Sequence, residues 1–240
     1  MQSYTDRRPL SVSGYIYLLG VSVYAFFRLP VILAGFGQSA LPILDTGGMV
    51  LLLIGLNGLY LVQPNTARVL VFLGQYAGTD GREGLRWTIP FVVTRERVSL
   101  RLRNFESSKS KVNDAAGNPV EIAGVTVWRV VSPAAAVFGV DEVSSYVALQ
   151  AETALRTLAS AHPYTAMDDR LTLQRHPQEM ADALRHSVQE RMNDAGVEIV
   201  EARISHLAYS AEIAAAMLQR QQADARSEEH TSELQSLTNL

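Results

Sequence analysis

The chain of 240 residues has a formal net charge of −3 and a pI near 6.0, which argues against a dedicated nucleic-acid-binding protein, because such proteins need a strongly basic surface. It contains no cysteine, which excludes disulfides, thiolate catalysis and cysteine-ligated metals. Apolar residues make up 48% of the chain and concentrate near the N-terminus, so the remainder has the composition of an ordinary domain that can bury a core.

Two apolar stretches follow a short tail, residues 1–13. The first, residues 14–36, is long enough to cross a bilayer core, which needs about 20 residues. Arg28 and Pro30 interrupt it, so a shorter or kinked insertion is the alternative. The second, residues 47–62, is short for a full span and is either a thin span or half of a re-entrant hairpin. A cleaved signal peptide is disfavoured because a second apolar run follows the first.

The charges that flank these stretches predict their orientation. Arg7 and Arg8 precede the first stretch and Arg68 follows the second, whereas the connector between them has no lysine or arginine. Because positive flanks stay on the cytoplasmic side, both outer ends are expected there. The sequence therefore predicts a membrane-inserted helical hairpin with the following domain in the cytoplasm.

The segment after the hairpin is locally basic. Residues 64–111 contain nine basic and four acidic residues in a chain that is acidic overall. Such a face is attracted to anionic headgroups, and arginines on the wet face of a strand are the alternative reading, which is compatible with the first. The candidates to face membrane lipids are Arg82, Arg86, Trp87, Arg95 and Arg97.

Strand patterns dominate the first part of the soluble region. Residues 68–74 form a compact β-type run. Val98, Leu100 and Leu102 alternate with polar residues, which predicts a half-buried strand. A turn at residues 117–119 precedes another apolar run and favours an antiparallel pair.

Helix patterns follow. Ser132 and Pro133 open a short helix to about Phe138. Residues 141–161 and the segment from Pro177 to Gly196 each show a helical apolar stripe, and a strand and a final helix from Ser210 come next. The stripes predicted to lie in the core are Val143, Val147, Ala151, Ala154, Leu155 and Leu158, and then Met180, Leu184, Val188 and Met192.

No residues have the pattern of a catalytic site. The glycines at positions 74, 78, 81 and 84 precede no Lys-Ser or Lys-Thr pair, so they indicate turns rather than a phosphate-binding loop. The histidines lack metal-ligand spacing, and no hydrolase motif occurs. The sequence predicts a protein without enzymatic activity and without catalytic, cofactor-binding or metal-binding residues.

Three segments resemble the Band 7 or SPFH family, the relatives of stomatin, prohibitin and flotillin. They are residues 62–106, with Pro64 and the run Gly84-Leu85-Arg86-Trp87-x-x-Pro90, residues 111–138 and residues 197–225, in family order and at family spacing. The resemblance implies an α+β SPFH domain at residues 64–209, with antiparallel strands and then mixed helices and strand, set against the membrane. It also implies homo-oligomeric rings or cages that organise lipid microdomains or enclose membrane proteases and channels.

The chain departs from the family after the last strand. The family's long stem helix is represented by residues 210–225, and we expect Ile213, Met217 and Leu218 to contribute to assembly. The polar tail, residues 226–240, includes a part, residues 226–236, that resembles translated sequencing adaptor. We exclude it from the fold as an artefact, with a natural disordered tail as the alternative.

These observations favour a non-enzymatic, membrane-anchored scaffold that oligomerises to organise membrane microdomains in a bacterial inner membrane. Its expected partners are membrane lipids and further copies of itself, and nucleic acid is not expected. The alternative is a regulatory subunit of a membrane protease or channel, which would bind its client through the helix at residues 141–161 or through the stem.

Overall fold

The computed structural model describes residue 9 and residues 11–34, 41–165 and 171–213. The fold is α+β with antiparallel sheets and helices, as the sequence predicts. The chain divides into two compact units. Unit 1 comprises residues 1–102, 129–143 and 193–198, and unit 2 comprises residues 103–128, 144–192 and 199–240.

Unit 1 begins with a pair of helices and continues with two three-stranded sheets, in the orders β1-β5-β2 and β4-β3-β6. A short helix, α3, packs on the second sheet, where Phe138 meets the ring of Tyr76 edge to face. The elements are β1 (Val12–Ser13), α1 (Gly14–Ala34), α2 (Leu41–Gly55), a 3₁₀ turn (Leu56–Gly58), β2 (Leu59–Val62), β3 (Thr66–Phe72), β4 (Gln75–Asp80), β5 (Gly84–Trp87), β6 (Val93–Ser99), α3 (Pro133–Phe138) and a second 3₁₀ turn (Asn193–Ala195).

Unit 2 contains a four-stranded sheet and two helices. The sheet order is β10-β9-β7, with β8 pairing β9 beyond the end of β7, and both β7 and β8 run antiparallel to β9. The elements are β7 (Arg103–Glu106), β8 (Ser110–Asn113), β9 (Pro119–Val130), α4 (Val143–Ala161), α5 (Pro177–Met192) and β10 (Val197–Tyr209), of which β9, β10 and α4 each extend by one or two residues into unit 1.

The helical stripes of the sequence are confirmed as core. In α4 the predicted face from Val147 to Leu158 is buried, and Val143 is half-buried. All four residues of the predicted α5 stripe are buried, and a glycine with φ +65°, Gly196, follows that helix. Ser132 stands at the start of α3 as expected, with Pro133 in the first helical position, although its side chain makes no capping hydrogen bond.

The predicted turn between β8 and β9 is organised by a buried aspartate, Asp114. Its carboxylate accepts hydrogen bonds from the backbone N–H groups of Ala116 (2.9 Å), Asn118 (2.8 Å) and Tyr164 (2.9 Å). Gly117 takes a left-handed backbone, φ +85°, which the turn requires. The turn therefore also attaches the segment after α4.

Two predicted element boundaries are corrected. The strand expected over Val98–Leu102 does not form as one piece: β6 ends at Ser99 and β7 begins at Arg103. The break arises where the chain passes from one sheet to another, and the N–H of Leu100 donates to the carbonyl of Asn65 instead of to a neighbouring strand.

The second apolar stretch is also divided. Helix α2 begins at Leu41, before the predicted start, and ends at Gly55, so residues 59–62 form strand β2 of the sheet rather than part of a membrane segment. The alternating burial of β2, in which Tyr60 and Val62 are buried and Leu61 is exposed, explains why an apolar run here is a strand. In the part of the chain that the structure describes, no helix combines the length and the apolar character that crossing a membrane requires.

Candidate functional site

The helices α1 and α2, here called the hairpin, are connected to the sheets of unit 1 on either side of a single strand. Strand β5 lies between β1 and β2, so that Trp87 pairs with Val12 on one side and with Leu59 on the other. Helix α1 starts directly after β1, and the three residues of the first 3₁₀ turn separate the end of α2 from β2. Because neighbouring strands lie about 4.8 Å apart, the two ends of the hairpin are fixed within about 10 Å of each other.

The two helices pack antiparallel through tyrosines that face glycines. The Tyr17 hydroxyl donates to the carbonyl of Leu52 (2.6 Å), and a Cβ at Gly55 would collide with the same hydroxyl. Tyr24 and Gly48 form a second pair of the same kind, because a Cβ at Gly48 would lie 2.6 Å from the Tyr24 hydroxyl. Both pairs are seven residues apart, or about two helical turns, so each helix contributes one face to this seam. Small residues at such a face allow close approach of the helices.

Trp87 and Arg95 bind backbone carbonyls at the end of α2 and in the turn after it. The Trp87 indole stacks on Tyr17 of α1, with centroids 4.7 Å apart, and donates from Nε1 to the carbonyl of Gly55 (2.8 Å). The Arg95 guanidinium donates to the carbonyl of Asn57 (3.1 Å) and to the two that follow. The last carbonyls of a helix lack partners within it, so Trp87 completes the end of α2 and Arg95 binds the turn that leads from α2 into β2.

The fully buried carboxylate of Asp80 makes hydrogen bonds to the chain at both ends of the hairpin. Its Oδ2 accepts hydrogen bonds from Ser11 Oγ (2.6 Å), Tyr60 OH (2.8 Å) and Arg86 Nε (3.0 Å). Ser11 immediately precedes β1 and Tyr60 lies in β2, so one carboxylate contacts the chain on either side of β5. Arg86 also donates to Ser11 Oγ (3.0 Å), which closes the network.

The network alters the acid–base behaviour of two groups. Burial raises the pKa of Asp80, but the hydrogen bonds from Ser11, Tyr60 and Arg86 outweigh it and hold the pKa below its usual range. Burial and the hydrogen bond to Asp80 raise the pKa of Tyr60 above its usual range. Asp80 is therefore ionised and Tyr60 neutral at neutral pH.

The hairpin exposes large apolar side chains to an unusual extent. A surface helix of a soluble domain carries polar residues on its outer face, whereas here the outer faces are aliphatic and aromatic, with Phe26 76% exposed. The exposed large apolar side chains of the described parts of α1 and α2 are Tyr15, Ile16, Leu19, Val23, Phe26, Phe27, Leu29, Val50, Leu51, Leu53 and Ile54.

Comparison with protein families identifies the part of the chain that follows the hairpin. Residues 60–237 match the SPFH domain / Band 7 family. The chain belongs to this family. SPFH proteins are generally membrane-associated scaffolds without catalytic activity. A comparison with curated proteins finds no match.

The SPFH match begins at Tyr60 in β2, so the hairpin precedes it, and the Asp80 network lies at its start except for Ser11, which precedes the hairpin. The match ends at residue 237, within the polar tail of residues 226–240 and one residue after its adaptor-like part; that tail lies outside the described residues. Ile213, half-buried, is the last residue that the structure describes, and the two other predicted assembly residues, Met217 and Leu218, lie outside it.

The structure separates the five candidate lipid-facing residues into two groups. Arg86 is 9% exposed and is bound to Asp80, Trp87 binds the end of α2, and Arg95 binds the turn that follows α2. Arg86 is thus buried against Asp80, whereas Trp87 and Arg95 contact the backbone of residues 55–59, and a lipid-facing role for these three residues stays a prediction. Arg82 and Arg97 are exposed, and Arg97 donates to Gln63 Oε1 (2.8 Å); their role at headgroups stays a prediction.

Sequence reasoning missed Ser11, Tyr60 and Asp80 as functional residues. The contacts of Asp80 with Ser11 and Tyr60 join residues 69 and 20 positions apart, and no local pattern reports them. A signal did exist for the ion pair, because Gly81 and Gly84 mark a tight turn between Asp80 and Arg86.

Proposed function

We propose that this chain is a membrane-anchored SPFH scaffold whose hairpin enters the bilayer and leaves it through the same face. The observation that supports this most is the pairing of β1 and β2 on either side of β5. A helix pair whose two ends are attached to one strand presents the domain and the N-terminus to the same side of a membrane. This agrees with the arginines that flank the hairpin and with the absence of basic residues from its connector.

The exposed side chains of the hairpin support insertion into lipid. Contiguous apolar surfaces of this kind are costly in water and mark contacts with a membrane or a partner. The polar groups at its base have partners in the domain, because Trp87 binds the final carbonyl of α2, Arg95 binds carbonyls of the turn that follows it, and Asp80 is neutralised by Arg86. The base of the hairpin could therefore lie at the surface of the hydrocarbon region, where backbone polar groups need hydrogen-bond partners within the protein.

The scaffold role further requires self-association. We propose that copies of the chain assemble through the stem helix that starts at Ser210, with Ile213, Met217 and Leu218 on its apolar seam. Membrane microdomain organisation in a bacterial inner membrane, with the SPFH domain on the cytoplasmic side, would follow from many anchored domains held together. The apolar hairpin and the family membership support this role.

Replacing residues 14–55 by a short glycine-serine linker tests the anchor. The linker would join Ser13 to Leu56, leaving β1, β2 and the Asp80 network in place, because the strands it connects are separated only by β5. We expect the variant to move from the membrane fraction to the soluble fraction in high salt, which screens surface charge.

The matched control replaces the exposed arginines with glutamine, Arg82→Gln and Arg97→Gln, in the chain with its hairpin. We expect this variant to stay in the membrane fraction under the same conditions, since charge only assists attachment. Retention of the linker variant in the membrane at high salt would show that the hairpin is not the anchor.

A further inference from the structure

A groove in unit 2 runs along the edge of β10. It lies between the first half of α5 and residues 200–204, has a volume of about 450 Å³, and is here called the α5–β10 groove. Its wall on α5 includes Gln178, Ala181, Asp182 and Arg185, which share one face of the helix because they stand at positions i, i+3, i+4 and i+7. Five consecutive residues of β10 line the other wall. Since successive side chains of a strand point to opposite faces, the groove follows the edge of β10 rather than one face of the sheet.

This edge of β10 has no partner among the strands that the structure describes. The sheet order is β10-β9-β7, so β9 covers one edge of β10 only. The N–H of Ile199 points to the other edge, where it donates to Oε1 of Gln189 on α5 (2.7 Å). From Val200 onward the groove separates α5 from the strand. Native proteins usually cover such an edge, because its backbone groups pair readily with another chain.

Strand β10 changes phase where the groove begins. Val197 and Ile199 are buried, Val200 and Glu201 are both exposed, and the next buried residue is Ala202. One additional residue of this kind is typical of a β-bulge, a feature that is common at sheet edges and beside active sites. The shift leaves the apolar side chain of Val200 46% exposed in the groove. An apolar contact and a strand edge are therefore available at the same place.

The groove carries charges of both signs. On β10, Glu201 and Arg203 form an ion pair with each other (3.4 Å), and their side chains are 52% and 64% exposed. On α5, Asp182 and Arg185 are exposed, lie about one helical turn apart and form no ion pair with any residue that the structure describes. The charges of β10 are thus balanced within the strand, whereas those of α5 can bind opposite charges on a ligand.

We infer that the α5–β10 groove binds an extended peptide segment of another protein, which adds to β10 as a further strand. In strand addition, main-chain hydrogen bonds give affinity and alternate side chains give specificity. At about 3.3 Å per residue, roughly five ligand residues pair with the open part of the edge. The inference stands apart from the proposed membrane anchor, because every residue of the groove belongs to unit 2.

The side chains of the groove define the ligand. Asp182 and Arg185 are about 4.5 Å apart along the helix axis, and ligand residues two positions apart in a strand are separated by about 6.7 Å, a difference that flexible side chains span. We therefore expect lysine or arginine opposite Asp182, and aspartate or glutamate two residues away, opposite Arg185. Aliphatic residues fit the alternate positions, beside Val200 and Ile204. A helical ligand does not fit, because its backbone groups are bonded within the helix and cannot pair with a strand edge.

Selection from a library of random seven-residue peptides tests this inference. The library is displayed on phage, selected on the full chain in mild detergent, and counter-selected on Ala181→Trp, in which an indole fills the groove. His186→Trp is the matched control, at an exposed position of α5 that does not line the groove. Thermal unfolding verifies that both tryptophan variants fold.

We expect the enriched peptides to alternate in polarity and to carry a basic and an acidic residue two positions apart. They should bind Ala181→Trp at least about tenfold more weakly than the parent chain and bind His186→Trp as the parent does. A variant with both charges exchanged, Asp182→Lys with Arg185→Glu, should prefer a peptide whose acidic and basic residues are exchanged. Misfolding cannot produce such a change of preference.

Hydrogen exchange locates the bound peptide. The peptide should slow exchange at the edge N–H groups of residues 200–204, and methylation of its alternate backbone nitrogens should abolish binding, because the strand could no longer pair. No enrichment on the parent, or equal affinity for the parent and Ala181→Trp, would overturn the inference. Slow exchange at residues 200–204 that develops without peptide as the concentration of the chain rises would overturn it too, because a second copy would then occupy the edge.

Discussion

Unit 1 and unit 2 distribute charge and apolar surface in opposite ways. Unit 1 buries an ion pair, Asp80 with Arg86, and exposes the leucines and phenylalanines of its hairpin. Unit 2 exposes an ion pair, Lys111 with Glu212, whose side chains are 49% and 75% exposed, and buries the stripes of α4 and α5. The apolar outer surface of the hairpin in unit 1 is the feature on which the proposed membrane anchor rests, and the helices of unit 2 have no such surface in the part of the chain that the structure describes.

The interior of unit 2 is closely packed in the way expected of a soluble domain. Gly124, in the middle of β9, faces α4, and a Cβ there would lie 3.2 Å from the Leu155 side chain and 3.2 Å from the carbonyl of Arg203. Small residues on α4, such as Ala151 and Ala154, are buried beside Leu155. Close approach of helix and sheet therefore depends on side-chain size, not on polar contacts.

The largest effect should come from the ion pair of unit 1. Asp80→Ala leaves the Arg86 charge buried without its partner and removes the acceptor of Ser11 and Tyr60, so we expect a loss of about 3–5 kcal/mol in the free energy of unfolding. Glu212→Ala, in the exposed pair of unit 2, should cost less than about 1 kcal/mol. Denaturant titration of both variants in mild detergent measures the difference. Equal losses would contradict the distinction between the units.

A smaller effect should follow from filling the hairpin seam. Gly48→Leu places a side chain where the Tyr24 hydroxyl lies, and overpacking of this kind costs about 1–3 kcal/mol. Gly20→Leu is the matched control, because a Cβ at Gly20 meets no atom within 4 Å. We expect thermal unfolding in detergent to show a lower midpoint for Gly48→Leu and an unchanged or higher one for Gly20→Leu. A lower midpoint for Gly20→Leu alone would place the helix contact elsewhere.

Loss of a single hydrogen bond at the end of α2 should have a still smaller effect. Trp87→Phe keeps an aromatic ring against Tyr17 but removes the Nε1 donor to the carbonyl of Gly55. We expect a destabilisation of about 0.5–1.5 kcal/mol. Trp128→Phe in unit 2 serves for comparison, since that ring lies under Arg103 and is buried in the sheet. Hydrogen exchange at residues 52–58 should rise in Trp87→Phe and stay unchanged in Trp128→Phe; the reverse result would remove Trp87 from the base of the hairpin.

Much of unit 2 could be predicted from the sequence, and much of unit 1 could not. The α5 stripe of Met180, Leu184, Val188 and Met192 repeats every four residues, and burial follows from that local period. The base of the hairpin depends instead on contacts between distant residues, such as Ser11 with Asp80, which no periodicity reports. The burial of Arg86 against Asp80 was unpredictable for the same reason, because the pairing of distant strands and not the local composition brings these residues together. The apolar run that ends at Val62 was extended too far, because a short strand and a helix end have the same apolar composition.

The smallest expected effect concerns the pH dependence of the free energy of unfolding, to which the buried carboxylate of Asp114 contributes. In unit 2, burial raises the pKa of Asp114, but hydrogen bonds from Tyr164, Asn118 and Ala116 hold it below its usual range, as the network of unit 1 does for Asp80. A carboxylate with a lowered pKa contributes stability that is fully present above the unfolded value, about 3.9, and is lost as the pH falls through the folded value. We expect the free energy of unfolding to fall between pH 5 and lower pH in the parent chain, and to fall less steeply in Asp114→Asn, which does not titrate. Asp182→Asn, at an exposed position of α5, controls for the loss of a charge alone and should keep the slope of the parent. The same slope in Asp114→Asn as in the parent would show that the hydrogen bonds at the β8–β9 turn do not favour the charged form.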